Sequence, residues 1–282
     1  MSAQDEKRGL EFTILGCGSS GGVPRADGAW GACDPSEPRN QRSRCSMLVR
    51  RLSDGPADQQ TTVLIDTSPE LRLQTAGAGA KRMDAVLLTH DHADQVHGLD
   101  DVRAFAIRHM RRIPCHMDEA THATLMRRFG YIFRGEAGYP AICEDNLIPP
   151  HGEPWRIDGP SGSIPIVTFD QDHGGIRSVG YRIGDVAYSS DVVGLPPEAF
   201  EALGGVKVWI VDALRYRPHP THAHLDLALE WIARVKPERA ILTNMHIDLD
   251  YRTLAAALPP GVEPAHDGMR FVVAVQGGGD AV

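Results

Sequence analysis

Apolar residues fall along this chain in short runs, each closed by a polar or glycine-bearing turn. Phe12 to Leu15 is one such run, and it leads into Gly16-Cys17-Gly18-Ser19-Ser20-Gly21-Gly22. Met47 to Arg50 and Val63 to Ile65 follow, separated by a polar stretch around Ser53 to Gln60. Short apolar runs bounded by turn signals read as buried strands. Ala85 to Leu88 is another, and Ile164 to Phe169, Ser178 to Ile183, Val186 to Ser189, Val206 to Val211, Ala240 to Thr243 and Met269 to Val275 extend the series. Helical spacing is found at Pro69 to Gln74, with Pro near the first turn, and from about Asp100 to Ile107. It recurs at Glu119 to Phe129, Leu225 to Val235 and Tyr251 to Leu258. Strands, a helix, strands again and then alternation predict an α/β protein with two packed sheets flanked by helices, not one doubly wound sheet. Residues 130–162, rich in Pro and Gly, suit an irregular insertion or lid in a single domain spanning 1–282.

Chemistry gathers where these runs end. The run Ala85 to Leu88 opens into Thr89-His90-Asp91-His92-Ala93-Asp94-Gln95-Val96-His97-Gly98. Imidazole nitrogen and carboxylate oxygen are ordinary ligands of zinc or manganese, and a strand end holds them at fixed separation. His173, Asp191, Asn244 and His246 likewise lie just beyond apolar strands. Each alone is an ordinary turn residue. Their repetition predicts a metal centre along one sheet edge.

Composition narrows the class. With 282 residues, 42% of them hydrophobic, the chain can bury one large layered core. A net charge of −8 argues against an extended nucleic-acid surface, yet leaves room for a small phosphate substrate, because a bound cation reverses the local field. No stretch is long and apolar enough to span a membrane, and Met1 to Arg8 lacks a signal-peptide core, so a cytoplasmic protein is expected. Five widely spaced cysteines (Cys17, Cys33, Cys45, Cys115, Cys143) suit reduced thiols.

The order and spacing of these pieces resemble the metallo-β-lactamase superfamily, in the branch holding ribonuclease Z and the phosphoribosyl cyclic phosphodiesterase. The resemblance rests on Gly16 to Pro24, Thr89 to Arg103, Asp172-His173, Ser190-Asp191, Thr221-His222, Leu242-Thr243-Asn244 and Asp267-Gly268-Met269. It implies a four-layer αββα sandwich with two metals at one edge. Its first site matches His90, His92 and His173, with Asp191 bridging. Its second matches Asp94 and two positions where the family has histidine, here Gln95 and Asn244. One divalent ion, zinc or manganese, is therefore expected, and a second is left open. His246, on the same face as Asn244 if the strand continues, is a candidate replacement ligand, whereas His97 reads as a polar residue at a helix start.

The activity implied is metal-dependent hydrolysis, foremost of a phosphodiester in a small cyclic phosphate or nucleotide. Asp94 would orient the nucleophile or accept its proton, and His222 would protonate the leaving group. Hydrolysis of a lactone, thioester or RNA end is the alternative within enzymes. A non-catalytic carrier, like that of pyrroloquinoline quinone biosynthesis, is the alternative outside them. The phosphodiesterase relatives' Cys-x-Cys-x-x-Cys set is missing here, so no structural zinc is expected. The glycine loop would shape the rim of the site. Arg39, Arg42, Arg44, Arg108, Arg111 and Arg112 read mostly as solvated surface. A homodimer follows by analogy alone.

Overall fold

The computed structural model describes residues 9–274, so the last residue of the expected strand Met269 to Val275 lies outside the described residues. In the first half the chain forms β1 (Leu10–Gly16), β2 (Ser46–Arg51), β3 (Thr61–Ile65), α1 (Leu71–Gly77), β4 (Ala85–Leu87), α2 (Ala93–Val96), α3 (Arg103–His109), β5 (Ile113–Met117), α4 (Glu119–Arg128), α5 (Gly130–Arg134) and β6 (Cys143–Leu147). In the second come β7 (Pro154–Ile157), β8 (Ile164–Asp172), β9 (Arg177–Ile183), β10 (Val186–Ser189), α6 (Pro197–Ala202), β11 (Val208–Asp212), α7 (Leu225–Val235), β12 (Arg239–Thr243), α8 (Tyr251–Ala257) and β13 (Val262–Pro264). The closing strand β14 (Met269–Val273) returns to the first sheet and pairs antiparallel with β1.

Two seven-stranded sheets result, ordered β14-β1-β2-β3-β4-β5-β6 and β13-β12-β11-β10-β9-β8-β7. The period-2 alternation of a strand sorts side chains to either face. Met47, Val49, Val63, Ile65, Ala85 and Leu87 join residues of the second sheet such as Ile166, Tyr181, Ile183 and Val211 in one apolar core. Their neighbours Leu48, Leu64 and Val86 face the other way and pack with Leu71, Val102, Phe105 and Leu125 from the helical side. Sheets covered on both faces need continuous apolar strands, which is why the runs read so clearly. The αββα sandwich is therefore the observed architecture.

Residues 130–162 depart from the expectation of an irregular insertion. They carry α5, β6 and β7, and the last two each form one edge of a sheet. Edge strands are short and half-solvated, so Glu144, Asp145 and Pro154 disguise them as loop. The inner strand β5 escapes sequence reading for a related reason: its run Ile113-Pro114-Cys115-His116-Met117 alternates buried and half-buried positions and contains Pro. Among the described residues no helix is long and apolar enough to cross a membrane.

Candidate metal centre

Strand ends converge at one edge of the sandwich. Strands β10, β11 and β12 run parallel, so their C-terminal ends present Asp191, Asp212 and Asn244 on the same side. From the other sheet β4 delivers His90 and His92, and His92 leads directly into α2. The two edges are tied together: Tyr181 Oη donates to Leu88 O at 2.7 Å and Val179 N–H to Thr89 O at 2.8 Å. The turn after His97 needs glycine, because a Cβ on Gly98 would lie 2.0 Å from the Ser68 carbonyl oxygen.

The three imidazoles face one point. Ring centroids of His90, His92 and His173 lie 4.6, 4.9 and 5.1 Å apart, and one nitrogen of each lies within 4.8 Å of the others. His92 Nδ1 and His173 Nε2 are 3.3 Å apart. Two nitrogens each ~2.05 Å from a tetrahedral zinc would stand ~3.3 Å apart. The outer nitrogens of His173 and His90 are already committed. Thr221 O lies 2.7 Å from His173 Nδ1, and Thr89 Oγ1 lies 3.0 Å from His90 Nδ1. Assigned from that network, Nδ1 carries the proton in both rings and Nε2 keeps its lone pair inward. His90 Nε2 is buried with no hydrogen-bond partner among the described residues. Burial pushes the His90 imidazole down to about 3, and burial reinforced by the neighbouring imidazoles lowers His92 and His173 too, so all three are neutral donors at pH 7. An orphaned inward nitrogen and a chelating spacing fit a divalent cation.

Beside this trio lies a second group, His173, Asp191 and His222, again with donor atoms within 4.8 Å. Asp191 takes the left-handed conformation (φ 55°), which turns its carboxylate back over the strand end. Burial would raise its pKa, but electrostatic interaction with the His90, His222 and His173 rings, with the Ser190 hydrogen bond, outweighs it and holds it below the usual carboxylate range. Oδ1 stands 4.0 Å from His173 Nε2 and 3.9 Å from His222 Nδ1. The His222 Nδ1–H donates to Asp212 Oδ2 at 2.9 Å. Burial depresses His222, yet the charge and hydrogen bond of Asp212, with Asp191 beyond, push it up to about 9. Burial, helped by the charge of Asp191, raises Asp212 to about 6 against the pull of His222, so at pH 7 the two form an ion pair. Asp94, at the start of α2, is raised to about 7 by burial and then by the charge of Asp191.

The residues singled out from sequence divide accordingly. His90, His92, His173, Asp191 and His222 come together, with Asp94 next to them through Gln95. His246 belongs to neither group: it pairs with Asp248 at 3.2 Å, Nδ1 to Oδ2. The strand β12 ends at Thr243 and Asn244 takes φ 60°, so the alternation that would have aligned His246 with Asn244 stops there. His97 is exposed and bonded to Arg128. Arg42, expected at the surface, is buried and donates to Leu249 O at 2.7 Å. Three supporting residues escaped the sequence reading: Asp66, which accepts from the Thr89 N–H and hydroxyl, Thr89 itself, and Asp212. Asp66 and Asp212 each close an apolar strand, the signal already used for Asp191; Thr89 stands inside the quoted motif, but nothing in the sequence marks its hydroxyl as a partner of His90. A cavity of about 740 Å³ opens beside the glycine loop near Gly22, Pro24, Arg39 and Arg44, and no residue of the imidazole group lines it.

This geometry has relatives. Residues 61–247 match the family model of the β-lactamase superfamily domain. The crystal structure of a diphosphatase from the PhnP family is 32% identical, with a TM-score of 0.79, over 94% of this chain and 98% of that one. Zinc-bound PqqB from Methylobacterium extorquens shares the fold at 16% identity, with a TM-score of 0.71, over 93% of this chain and 99% of that one. An octanoyltransferase from Porphyromonas gingivalis is 28% identical over 275 residues, which cover 95% of this chain but 52% of that protein, so the chain spans about half the length of this relative. Strand-end histidines on an αββα sandwich, a family match over most of the chain and a full-length relative at 32% identity lead to one conclusion: the chain belongs to the metallo-β-lactamase superfamily, a superfamily mainly of metal-dependent hydrolases.

Proposed function

We propose that this protein is a metal-dependent phosphodiesterase acting on a small cyclic phosphate or nucleotide. His90, His92 and His173, with Asp191, would hold a divalent cation, zinc or manganese. Such an ion lowers the pKa of water toward ~7 and polarises phosphoryl oxygens. Asp94 orients the attacking water, being the carboxyl group next to Asp191 that has no ion-pair partner of its own among the described residues. His222 donates a proton to the departing alkoxide. Asp212 keeps that imidazole charged and aimed, in the manner of a carboxylate that fixes a histidine acid.

One observation carries the reading. An imidazole pushed up to about 9 stands beside the inward-facing nitrogens of a neutral trio, with its proton held on the Asp212 side. A poor alkoxide leaving group needs such an acid. The name of the 32% identical relative, a diphosphatase, supports phosphoryl chemistry. The octanoyltransferase match favours a second reading, hydrolysis of an acyl ester or thioester. Purified protein supplied with zinc or manganese is assayed on bis(p-nitrophenyl) phosphate, nucleoside 2′,3′-cyclic phosphates and an octanoyl thioester. Chelator-sensitive turnover of a diester is expected. Turnover of the thioester alone, or of no diester with any metal, would overturn the proposal.

A further inference from the structure

The two departures from the family's ligand pattern are buried and engaged. Gln95 is fully buried and Asn244 is 1% exposed. The Gln95 Nε2–H donates to Asp191 Oδ2 at 3.0 Å, and the same nitrogen lies 3.5 Å from Asp94 Oδ2. The Ser190 hydroxyl donates to that same Asp191 oxygen. A carboxylate oxygen offers two lone-pair directions, and here two protein donors take both. The other oxygen, Oδ1, is the one turned toward His173 and His222.

The orientation of the Gln95 amide follows from its neighbours. Reversed, its carbonyl oxygen would face two carboxylates. The N–H end therefore points at Asp191 and Asp94, the residues a second ion would need, and Oε1 has no partner among the described residues. Asn244 faces His222 and Cys45: its amide nitrogen lies 3.0 Å from His222 Nδ1, and the Cys45 thiol lies 3.9 Å from its Oδ1. Among the described residues, no group of three ligand side chains includes Asp94. The residues do not fit a second cation.

We propose that the protein is a one-ion member of its superfamily, in which the Gln95 carboxamide stands where the second cation would sit. Its N–H performs the positioning half of that ion's work, fixing Asp191 with Oδ1 turned to the imidazole trio. A neutral amide donates a partial positive charge where an ion would bring two units, so Asp191 is held but not bridged. Gln95 is thus a positioning residue. The inference rests on His90, His92 and His173 being ligands, and is independent of the substrate.

Metal content decides it. Full-length protein is saturated with zinc, desalted, and its ions per chain counted by plasma mass spectrometry. We expect one ion in the wild type and two in the double variant Gln95→His, Asn244→His. Two ions in the wild type would overturn the proposal, and a folded double variant that stays at one would remove Gln95 from its role. A wild type that retains none would overturn the ligand reading beneath it, a different result from either. If the double variant does not fold, X-ray absorption of the zinc-loaded wild type decides: a metal–metal shell at ~3.5–4 Å refutes the one-ion site, and its absence supports it.

Discussion

Thr89→Val tests the support of the metal centre with the least steric change, since it exchanges a hydroxyl for a methyl group. Thr89 is fully buried, and its Oγ1 lies 3.0 Å from His90 Nδ1 and 3.0 Å from each Asp66 oxygen. With a cation on Nε2, the Nδ1–H of His90 donates to Oγ1, and the hydroxyl passes its own proton toward Asp66. In the variant that N–H has no partner, a state that costs about 1–3 kcal/mol in a buried site. The metal-free ring escapes this cost by moving its proton to Nε2, the nitrogen a metal needs. Cation binding must then reverse the tautomer, so the penalty appears in affinity. Losing such a supporting hydrogen bond weakens metal binding by about 10–100-fold, equivalent to ~1.4–2.7 kcal/mol. Competition against a chromophoric chelator measures it, with Thr89→Ser as the variant that keeps the hydroxyl. Affinities of Thr89→Val and Thr89→Ser within about twofold of each other would refute the reasoning.

Asp212→Asn removes the charge that raises His222, so the basic limb of the kcat/KM–pH profile should fall from near pH 9 toward or below 6.5; an unmoved limb would separate His222 from the acid role. The same pair sets a stability window in metal-free protein. A histidine raised from 6.5 to about 9 contributes stability in full below pH 6.5 and loses it as pH rises through 9, a decline that urea titrations should show in the wild type and not in Asp212→Asn. Leu87→Ala opens a void between the sheets at a fully buried position and should cost about 2–5 kcal/mol in denaturant midpoint analysis. Gly98→Ala places a Cβ 2.0 Å from Ser68 O and 2.8 Å from Leu71 Cβ, so about 1–3 kcal/mol of overpacking strain is expected; unchanged thermal stability would contradict that geometry.

Legibility in the sequence followed burial. Strands covered on both faces, such as β11 with its run Val208-Trp209-Ile210-Val211-Asp212, stand out because every position is apolar until the last. Edge strands β6 and β7 do not, because solvent permits polar residues on one side. Candidate ligands were visible for the same reason: a histidine or aspartate that ends an apolar run is conspicuous. Their partners were not. The Thr89 hydroxyl and the Thr221 carbonyl act through a single atom placed by tertiary structure, and no residue spacing encodes that placement. His246 shows the reverse error, where strand periodicity is extended two residues past the turn that Asn244 makes.

The imidazole trio draws two members from the first sheet and one from the second, His92 and His173 being 81 positions apart. During synthesis, a ribosome-bound segment that ends before β8 therefore carries an incomplete chelate, and tight capture of an ion waits for the second half to dock. An ion seated there would add a further link between the halves at the edge where Tyr181 and Val179 already bond to the Leu88 and Thr89 carbonyls. Loading would then report on assembly, since a misdocked half would leave the chelate incomplete and a cation loosely held.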